Sequence, residues 1–275
     1  MSDRVKIDVR DGVADVRLNR PDKMNALDLE MFRAIVAAGD EVAADRSVRV
    51  VVLSGEGRSF CAGLDISAFA GGMQAQDLGD GETPAGSGGG LTDRLEGRIT
   101  NMAQQVAHTW IEMPAPVIAA IHGVAFGGGI QIALGADIRI VAPDARLSVM
   151  EVRWGLFPDM TGPQTLPRLV GLDVAKELVF TGRQVSGTEA VQLGLATRVA
   201  DDPRAAAMAL AAEIAGKNPA AIRAAKSLLN ASGTRPLAES YLEESRLMAS
   251  IMGSANQREA AMASLENRPP VFTVE

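Results

Sequence analysis

The sequence is poor in the side chains that most often carry nucleophilic, redox or metal chemistry. Its 275 residues include one cysteine, Cys61, and two histidines, His108 and His122. A single cysteine cannot form an intramolecular disulfide, which suits a reducing compartment. Two histidines in separate segments leave little material for a Ser-His-Asp triad or a multi-histidine metal site. We therefore expect no metal site and no hydrolase triad.

Long apolar runs and an excess of positive charge are also missing. No apolar stretch approaches the roughly 20 residues that span a bilayer, and the opening residues lack the apolar core of a signal peptide. The formal net charge of −7 argues against a nucleic-acid surface. With 47% hydrophobic residues, the composition is that of an ordinary globular protein. We expect a cytoplasmic protein that binds neither membrane nor nucleic acid.

Short β-branched runs alternate with helical patterns in the first half of the chain. A hairpin is predicted at 5–9 and 13–18, around the turn Asp11-Gly12, and a helix is predicted after a cap at Asp28. Buried strands are predicted at 48–53, 117–121 and 138–141. Strands that alternate with helices predict an α/β fold with parallel pairing.

The second half has a different character. After Leu166 the pattern is almost entirely helical, which predicts a core domain at 1–202 and a C-terminal helical region at 203–275. Residues 71–90 contain GG, GDG and GSGGG and little apolar periodicity. We interpret this stretch as a mobile loop without a single structure.

Three consecutive glycines, Gly127 to Gly129, mark the least common segment of the sequence. They follow a predicted buried strand and open a predicted helix. Glycine allows a ligand to approach the backbone closely, and the free N–H groups at the start of a helix favour negative charge. Tight packing of the helix on the strand is the alternative explanation.

Two further blocks carry small or acidic residues at loop positions. One is Ser59-Phe-Cys-Ala-Gly-Leu-Asp65, and the other is Glu151-Val-Arg-Trp-Gly-Leu-Phe-Pro-Asp159. Together with the glycine segment and with Asn19-Arg-Pro-Asp-Lys-Met-Asn-Ala-Leu27, they resemble the motifs of the enoyl-CoA hydratase/isomerase (crotonase) family, in the same order. The resemblance extends from about residue 5 to about residue 265.

This resemblance implies a fold, an assembly and a substrate class. The fold would be a crotonase-like spiral of β-β-α turns with a C-terminal helical trimerisation region. The assembly would be a homotrimer or a homohexamer made of two trimers. The substrate would be an acyl-CoA thioester, so that coenzyme A is part of the substrate and no separate cofactor is needed.

The resemblance also implies an oxyanion hole formed by the backbone N–H groups of Leu64 and Gly128. Two fixed donors stabilise an enolate oxygen more than the ground-state thioester oxygen. Candidate substrate-binding residues lie in the same motifs. By similarity they are Met24, Ala26, Ala62 and Asp65 near the nucleotide, and Phe126, Trp154 and Phe157, with Phe69, near the acyl chain. Ordinary core packing is an equal alternative for these aromatic residues.

The acid and base positions depart from the pattern of the family's hydratases, which carry a glutamate at each of two positions. Here the first position is Gln131 and the second is Glu151. A glutamine can hold a water or a carbonyl, but it cannot accept and return a proton at neutral pH. In the dienoyl-CoA isomerase branch, an aspartate eight residues after the glutamate shares proton transfer with it. Asp159 stands at that distance from Glu151.

Three hypotheses follow, in order of preference. The first is an enoyl- or dienoyl-CoA isomerase that uses Glu151 and Asp159. The second is a hydratase in which Glu151 works with a water held by Gln131. The third is a non-catalytic acyl-CoA-binding member of the family. We expect structural roles for three other polar residues, namely Asp137, His122 and Cys61.

Overall fold

The computed structural model describes residues 3–67 and 90–273. Phe69 and almost all of the loop predicted at 71–90 lie outside the described residues.

Two sheets organise the described chain. The larger has six strands in the order β1 (Val5–Arg10), β2 (Val13–Leu18), β3 (Val50–Gly55), β4 (Val117–Ile121), β6 (Ile138–Val141) and β9 (Arg198–Val199). The smaller has three strands in the order β5 (Val124–Phe126), β7 (Arg146–Ser148) and β8 (Val185–Ser186). β1 and β2 form the predicted antiparallel hairpin, and all the other neighbours in the larger sheet are parallel.

The predicted strands are confirmed with two corrections of bounds, the first being that the strand predicted at 5–9 extends to Arg10. β4 and β6 match their predicted ranges, whereas the strand predicted at 48–53 runs from Val50 to Gly55. Val48 still belongs to a turn, because its N–H donates to the carbonyl of Asp45. The two- and three-residue strands β5, β7, β8 and β9 escaped prediction because they are too short to show alternation.

Ten α-helices surround the sheets in the described residues. α1 (Leu29–Ala44) begins after Asp28, whose side chain accepts a hydrogen bond from the N–H of Met31, as predicted. The others are α2 (Met102–Glu112), α3 (Gly128–Leu134), α4 (Gly162–Val170), α5 (Leu172–Thr181), α6 (Gly187–Leu193), α7 (Pro203–Ala215), α8 (Pro219–Ala231), α9 (Leu237–Ile251) and α10 (Ala255–Leu265). Two 3-10 helices cover Pro21–Lys23 and Glu151–Trp154.

Successive turns of the chain contribute one strand to each sheet. β4 lies in the larger sheet, the next strand, β5, lies in the smaller sheet, and α3 follows. In the same way, β6 lies in the larger sheet and β7 in the smaller sheet. The main core lies between these layers and includes Phe32, Leu53 and Trp110. This arrangement is the predicted spiral of β-β-α turns, and the α/β fold class is confirmed.

The helical region after residue 202 packs partly on the core. The buried residues Ala207, Ala211 and Ala215 of α7 contact the outer face of the larger sheet. α8 is anchored by buried Lys226, whose Nζ lies 2.7 Å from Oδ2 of Asp137. The division of the chain at residue 202 stays a prediction.

α9 and α10 leave many apolar side chains uncovered. No residue of α9 is fully buried. The exposed apolar residues of these two helices include Tyr241, Leu242, Met248, Met262 and Leu265. No helix in the described part of the chain is long and apolar enough to cross a membrane.

Candidate active site

Two backbone loops touch at the carboxyl ends of β3 and β5. Gly63 has φ +84°, and a Cβ placed on it would lie 2.5 Å from the carbonyl oxygen of Phe126 and 3.5 Å from the amide nitrogen of Gly128. A Cβ on Gly129 would lie 2.3 Å from the carbonyl oxygen of Cys61. Only glycine allows this approach, so the tight-packing explanation of the glycine triplet is confirmed, and contact of its backbone with a ligand stays a prediction.

Among the described residues, the amides of Leu64 and Gly128 at this junction have no backbone acceptor. The neighbouring amides of Ala62 and Asp65 donate to the carbonyls of Met24 and Leu27, each at 2.9 Å. Gly128 is the first residue of α3, where an amide has no partner within the helix. The structure thus brings together the two amides that the sequence motifs singled out.

The loop that carries Leu64 is held by the segment at 19–27. Asn25 is fully buried, and its Nδ2 donates to the carbonyls of Ser59 at 2.8 Å and Phe60 at 3.1 Å. The Arg20 guanidinium lies 2.7 Å from Oδ2 of Asp65 and donates to the carbonyl of Ala26 at 3.0 Å. The four predicted nucleotide-side residues, Met24, Ala26, Ala62 and Asp65, therefore lie on two loops that are bonded to each other.

Glu151 is buried against the start of α3. Its Oε1 accepts a hydrogen bond from Nε2 of Gln131 at 2.6 Å, and a Cβ on Gly127 would lie 3.6 Å from the same oxygen. Its Oε2 is buried without a hydrogen-bond partner among the described residues. Burial raises the pKa of Glu151, and hydrogen bonds from its own backbone N–H and from Gln131 oppose part of that rise.

Asp159 is the second carboxylate of the site. It lies close enough to Glu151 for its negative charge to raise the pKa of Glu151 further. The Asp159 side chain keeps access to solvent, yet the surrounding protein excludes enough water to raise its own pKa as well. A raised pKa makes each of these carboxyls a candidate for proton transfer near neutral pH.

The side-chain amide of Gln131 forms hydrogen bonds with other groups of the protein. Its Oε1 accepts from the backbone N–H groups of Met160 at 2.9 Å and Gly162 at 3.0 Å. Its Nε2 donates to Glu151, which leaves one N–H for any other partner. The sequence did not reveal the roles of Met160 and Gly162, because backbone donors carry no signature in residue type.

Two predicted aromatic residues lie on the surface. Trp154 is 57% exposed and Phe157 is 70% exposed, so the core-packing alternative is wrong for both. Both lie in the run 152–157, every residue of which is exposed. Glu151 is therefore buried by the start of α3 and not by the residues that follow it. Phe126 is half-buried, with Arg146 above its ring at 5.9 Å. That Phe126, Trp154 and Phe157 line an acyl pocket stays a prediction.

Three other polar residues have structural partners. Asp137 accepts from the N–H of Val117 at 2.7 Å and pairs with Lys226. His122 Nε2 lies 2.9 Å from the carbonyl oxygen of Gly57. Burial raises the pKa of the Cys61 thiol to about 12, which makes it inert at neutral pH. No cluster of three or more potential metal ligands occurs in the residues that the structure describes.

Comparison with known proteins identifies the family. A family model described as enoyl-CoA hydratase/isomerase matches residues 13–271. The chain belongs to the enoyl-CoA hydratase/isomerase family. It is 34% identical over 266 residues to a probable enoyl-CoA hydratase of Bacillus subtilis, with 96% of both chains covered.

Relatives with the other activity are equally similar. The chain is 35% identical over 260 residues to the human mitochondrial Delta(3,5)-Delta(2,4)-dienoyl-CoA isomerase, covering 93% of this chain and 77% of that protein. Among solved structures, the enoyl-CoA hydratase of Bacillus anthracis matches with a TM-score of 0.87 and 29% identity, over 99% of this chain and 100% of that one. Overall similarity therefore establishes the family and leaves the reaction to the site residues.

Proposed function

We propose that the protein shifts a carbon–carbon double bond in an enoyl- or dienoyl-CoA through an enolate intermediate. The observation that carries this proposal is the pair formed by Glu151 and Asp159, two neighbouring carboxyls whose pKa values are both raised. Gln131 occupies the position at which a hydratase of the family would need another carboxylate.

The amides of Leu64 and Gly128 would hold the thioester oxygen. Negative charge grows on that oxygen as the enolate forms, and each fixed donor of this kind typically lowers the barrier by about 2.7–4 kcal/mol. Glu151 would remove a proton from the carbon next to the thioester carbonyl. Asp159 would return a proton to a carbon farther along the chain.

After one turnover Glu151 holds the proton and Asp159 has lost one. The proximity of the two carboxyls allows the proton to pass back, which restores the starting state without net consumption of protons. Addition of water has a different requirement, because a base must activate the water while an acid protonates carbon. A missing acid or base typically costs 10²–10⁴-fold in rate, or roughly 3–5 kcal/mol of barrier.

Hydration by Glu151 with a water held by Gln131 is the second candidate. The names of several relatives favour it, and Nε2 of Gln131 has one N–H beyond its bond to Glu151. A carboxamide still cannot take a proton from that water. We therefore rank hydration below isomerisation, and a non-catalytic acyl-CoA-binding role third.

Turnover of 3-enoyl- or 3,5-dienoyl-CoA, measured beside hydration of crotonyl-CoA, tests the proposal. Product mass separates the two reactions, because hydration adds one water and isomerisation adds nothing. We expect isomerisation to be faster by at least about tenfold. Glu151→Gln should abolish it, and Asp159→Asn should lower it while sparing acyl-CoA binding. Faster hydration that is unaffected by Asp159→Asn would favour the hydratase. Binding without either reaction would favour the non-catalytic role.

We also propose a homotrimer, alone or stacked as a hexamer, that works in the cytoplasm. The uncovered apolar side chains of α9 and α10 support an assembly, because a helix without any fully buried residue gains little from a single chain. Light scattering at micromolar concentration tests it, and a monomer would contradict it.

A further inference from the structure

We infer that Gln131 is a positioning residue that fixes the Glu151 carboxyl and the Asp159 segment to each other through one side-chain amide. Three hydrogen bonds meet at this amide, and they connect α3, the 3-10 helix at Glu151–Trp154 and the start of α4. Gln131 is 1% exposed, so water does not compete for these bonds.

The orientation of the amide follows from its partners. Oε1 faces two backbone N–H groups, those of Met160 and Gly162, and a carboxamide NH₂ in that place would meet donors only. Thr161 stands between these donors in a left-handed conformation, with φ +73°, which turns both N–H groups to one point. Nε2 must therefore face Glu151.

This orientation decides which oxygen of Glu151 handles the proton. Oε1 accepts the N–H of Gln131 at 2.6 Å, a bond that a carbonyl or ionised oxygen accepts more strongly than a hydroxyl oxygen does. Oε2 has no hydrogen-bond partner among the described residues. A proton that Glu151 gains is therefore favoured on Oε2. Gln131 thus leaves one carboxyl oxygen available for chemistry and holds the other.

Gln131 also holds the segment that carries Asp159. Met160 follows Asp159 directly, and its N–H is bound to Oε1 of Gln131. Loss of the amide would release this segment and the carboxyl of Glu151 together. The separation of the two carboxyls, on which return of the proton depends, is therefore set by a residue that transfers no proton itself.

Few charges act on Glu151 besides Asp159. α3 carries no ionisable side chain. The 3-10 helix carries Arg153, α4 carries Arg168, and α5, which packs on the 3-10 helix, carries Asp173, Lys176 and Glu177, and all five side chains are exposed. Solvent screens these five groups. A change in the pKa of Glu151 after substitution of Gln131 would thus report the lost hydrogen bond.

The test compares Gln131→Met with Gln105→Met. Gln105 is a matched control, because it is also buried, accepts from the Thr100 hydroxyl and donates to Oε1 of Glu112 at 2.6 Å, away from the two carboxyls. Two readouts need no turnover. One is the infrared band of protonated Glu151, assigned by difference from Glu151→Gln and followed against pH. The other is amide hydrogen exchange of the peptide that contains Met160 and Gly162.

We expect Gln131→Met to raise the pH at which the Glu151 band disappears and to speed exchange of that peptide about tenfold or more. Gln105→Met should change neither readout. Where the isomerase proposal holds, kcat should fall about 10- to 100-fold in Gln131→Met with little change in KM. Unchanged titration and exchange in Gln131→Met, or equal changes in Gln105→Met, would overturn the inference.

The inference rests on the proposed function only for the turnover measurement. If titration and exchange respond as expected while the wild-type enzyme isomerises nothing, the proposed reaction fails and the positioning role stands. If Gln131→Met does not fold, Gln131→Glu replaces it. A neutral glutamic acid there offers the same acceptor and donor, so exchange should stay slow while the two carboxyls titrate in two coupled steps. Fast exchange or a single unchanged titration would contradict the inference.

Discussion

Gly63→Ala should damage catalysis more than it damages the fold. Gly63 adopts φ +84°, a conformation that costs a residue with a Cβ about 1–2 kcal/mol. The new Cβ would lie 2.5 Å from the carbonyl oxygen of Phe126, where an ordinary contact is at least 3.4 Å. The loops that carry Leu64 and Gly128 must therefore separate by about 0.9 Å.

The magnitude follows from this displacement. Displacement of reacting groups by about 1 Å can cost 10²-fold, and loss of one oxyanion donor costs about 10²–10³-fold in kcat. Overpacking typically adds about 1–3 kcal/mol to the conformational cost, so the folded state should lose about 2–5 kcal/mol. A domain in the middle of the usual range of about 5–15 kcal/mol of stability would remain folded.

Measurement of kcat, acyl-CoA affinity and urea unfolding on Gly63→Ala and Gly97→Ala provides the test. Gly97 has φ +70°, and a Cβ on it would meet nothing within 4 Å, so it reproduces the conformational cost without the collision. We expect Gly97→Ala to be destabilised slightly and fully active. A folded Gly63→Ala enzyme with kcat within about threefold of wild type would refute the argument that close approach of the loops sets the oxyanion geometry.

Three further predictions concern the buried carboxyl, the helical region and the substrate. Burial raises the pKa of Glu151, so the folded chain loses stability as pH rises through that pKa. Glu151→Gln should therefore raise the melting temperature at about pH 8 and lose this gain below the ordinary value of 4.5, as checked by calorimetry. Lys226→Met should cost about 3 kcal/mol in urea unfolding, because it leaves Asp137 and the carbonyls of Trp110 and Ala115 without their cation, and it should spare acyl-CoA affinity. A short acyl-CoA should bind far more tightly than its free acid in calorimetry, since only the thioester can reach both the nucleotide loops and the two amides; equal binding would contradict this.

The larger elements of the fold were predictable because their signals are local. β4 is a continuous apolar run with every residue buried, β6 is apolar except for Arg139, and α1 begins after a capping aspartate. The hairpin turn at Asp11 and Gly12 requires two positive φ angles, which that residue pair tolerates. The short strands of the smaller sheet could not be predicted, because their pairing depends on the close approach of separate loops and on no pattern of their own.

The candidate site also has features that the sequence predicts and features that it does not. The glycines that allow Leu64 and Gly128 to approach each other are visible as residue types. The surface positions of Trp154 and Phe157 are not, because the whole run 152–157 is exposed although it contains four apolar side chains. Hydrophobic character alone predicts burial, and an exposed aromatic segment is therefore the kind of error that sequence reasoning makes near a binding site.

The hydrogen bonds of Gln131 bear on why a glutamine stands where the family's hydratases carry a glutamate. A substitution of glutamate by glutamine could be a simple loss, leaving a damaged hydratase. A residue that is merely lost would have no reason to keep three partners, yet this amide accepts from Met160 and Gly162 and donates to Glu151. An ionised carboxylate in its place could accept the same two backbone bonds but would repel Glu151 instead of donating to it. The glutamine thus suits a site in which one carboxyl is held steady and a second, Asp159, shares its proton.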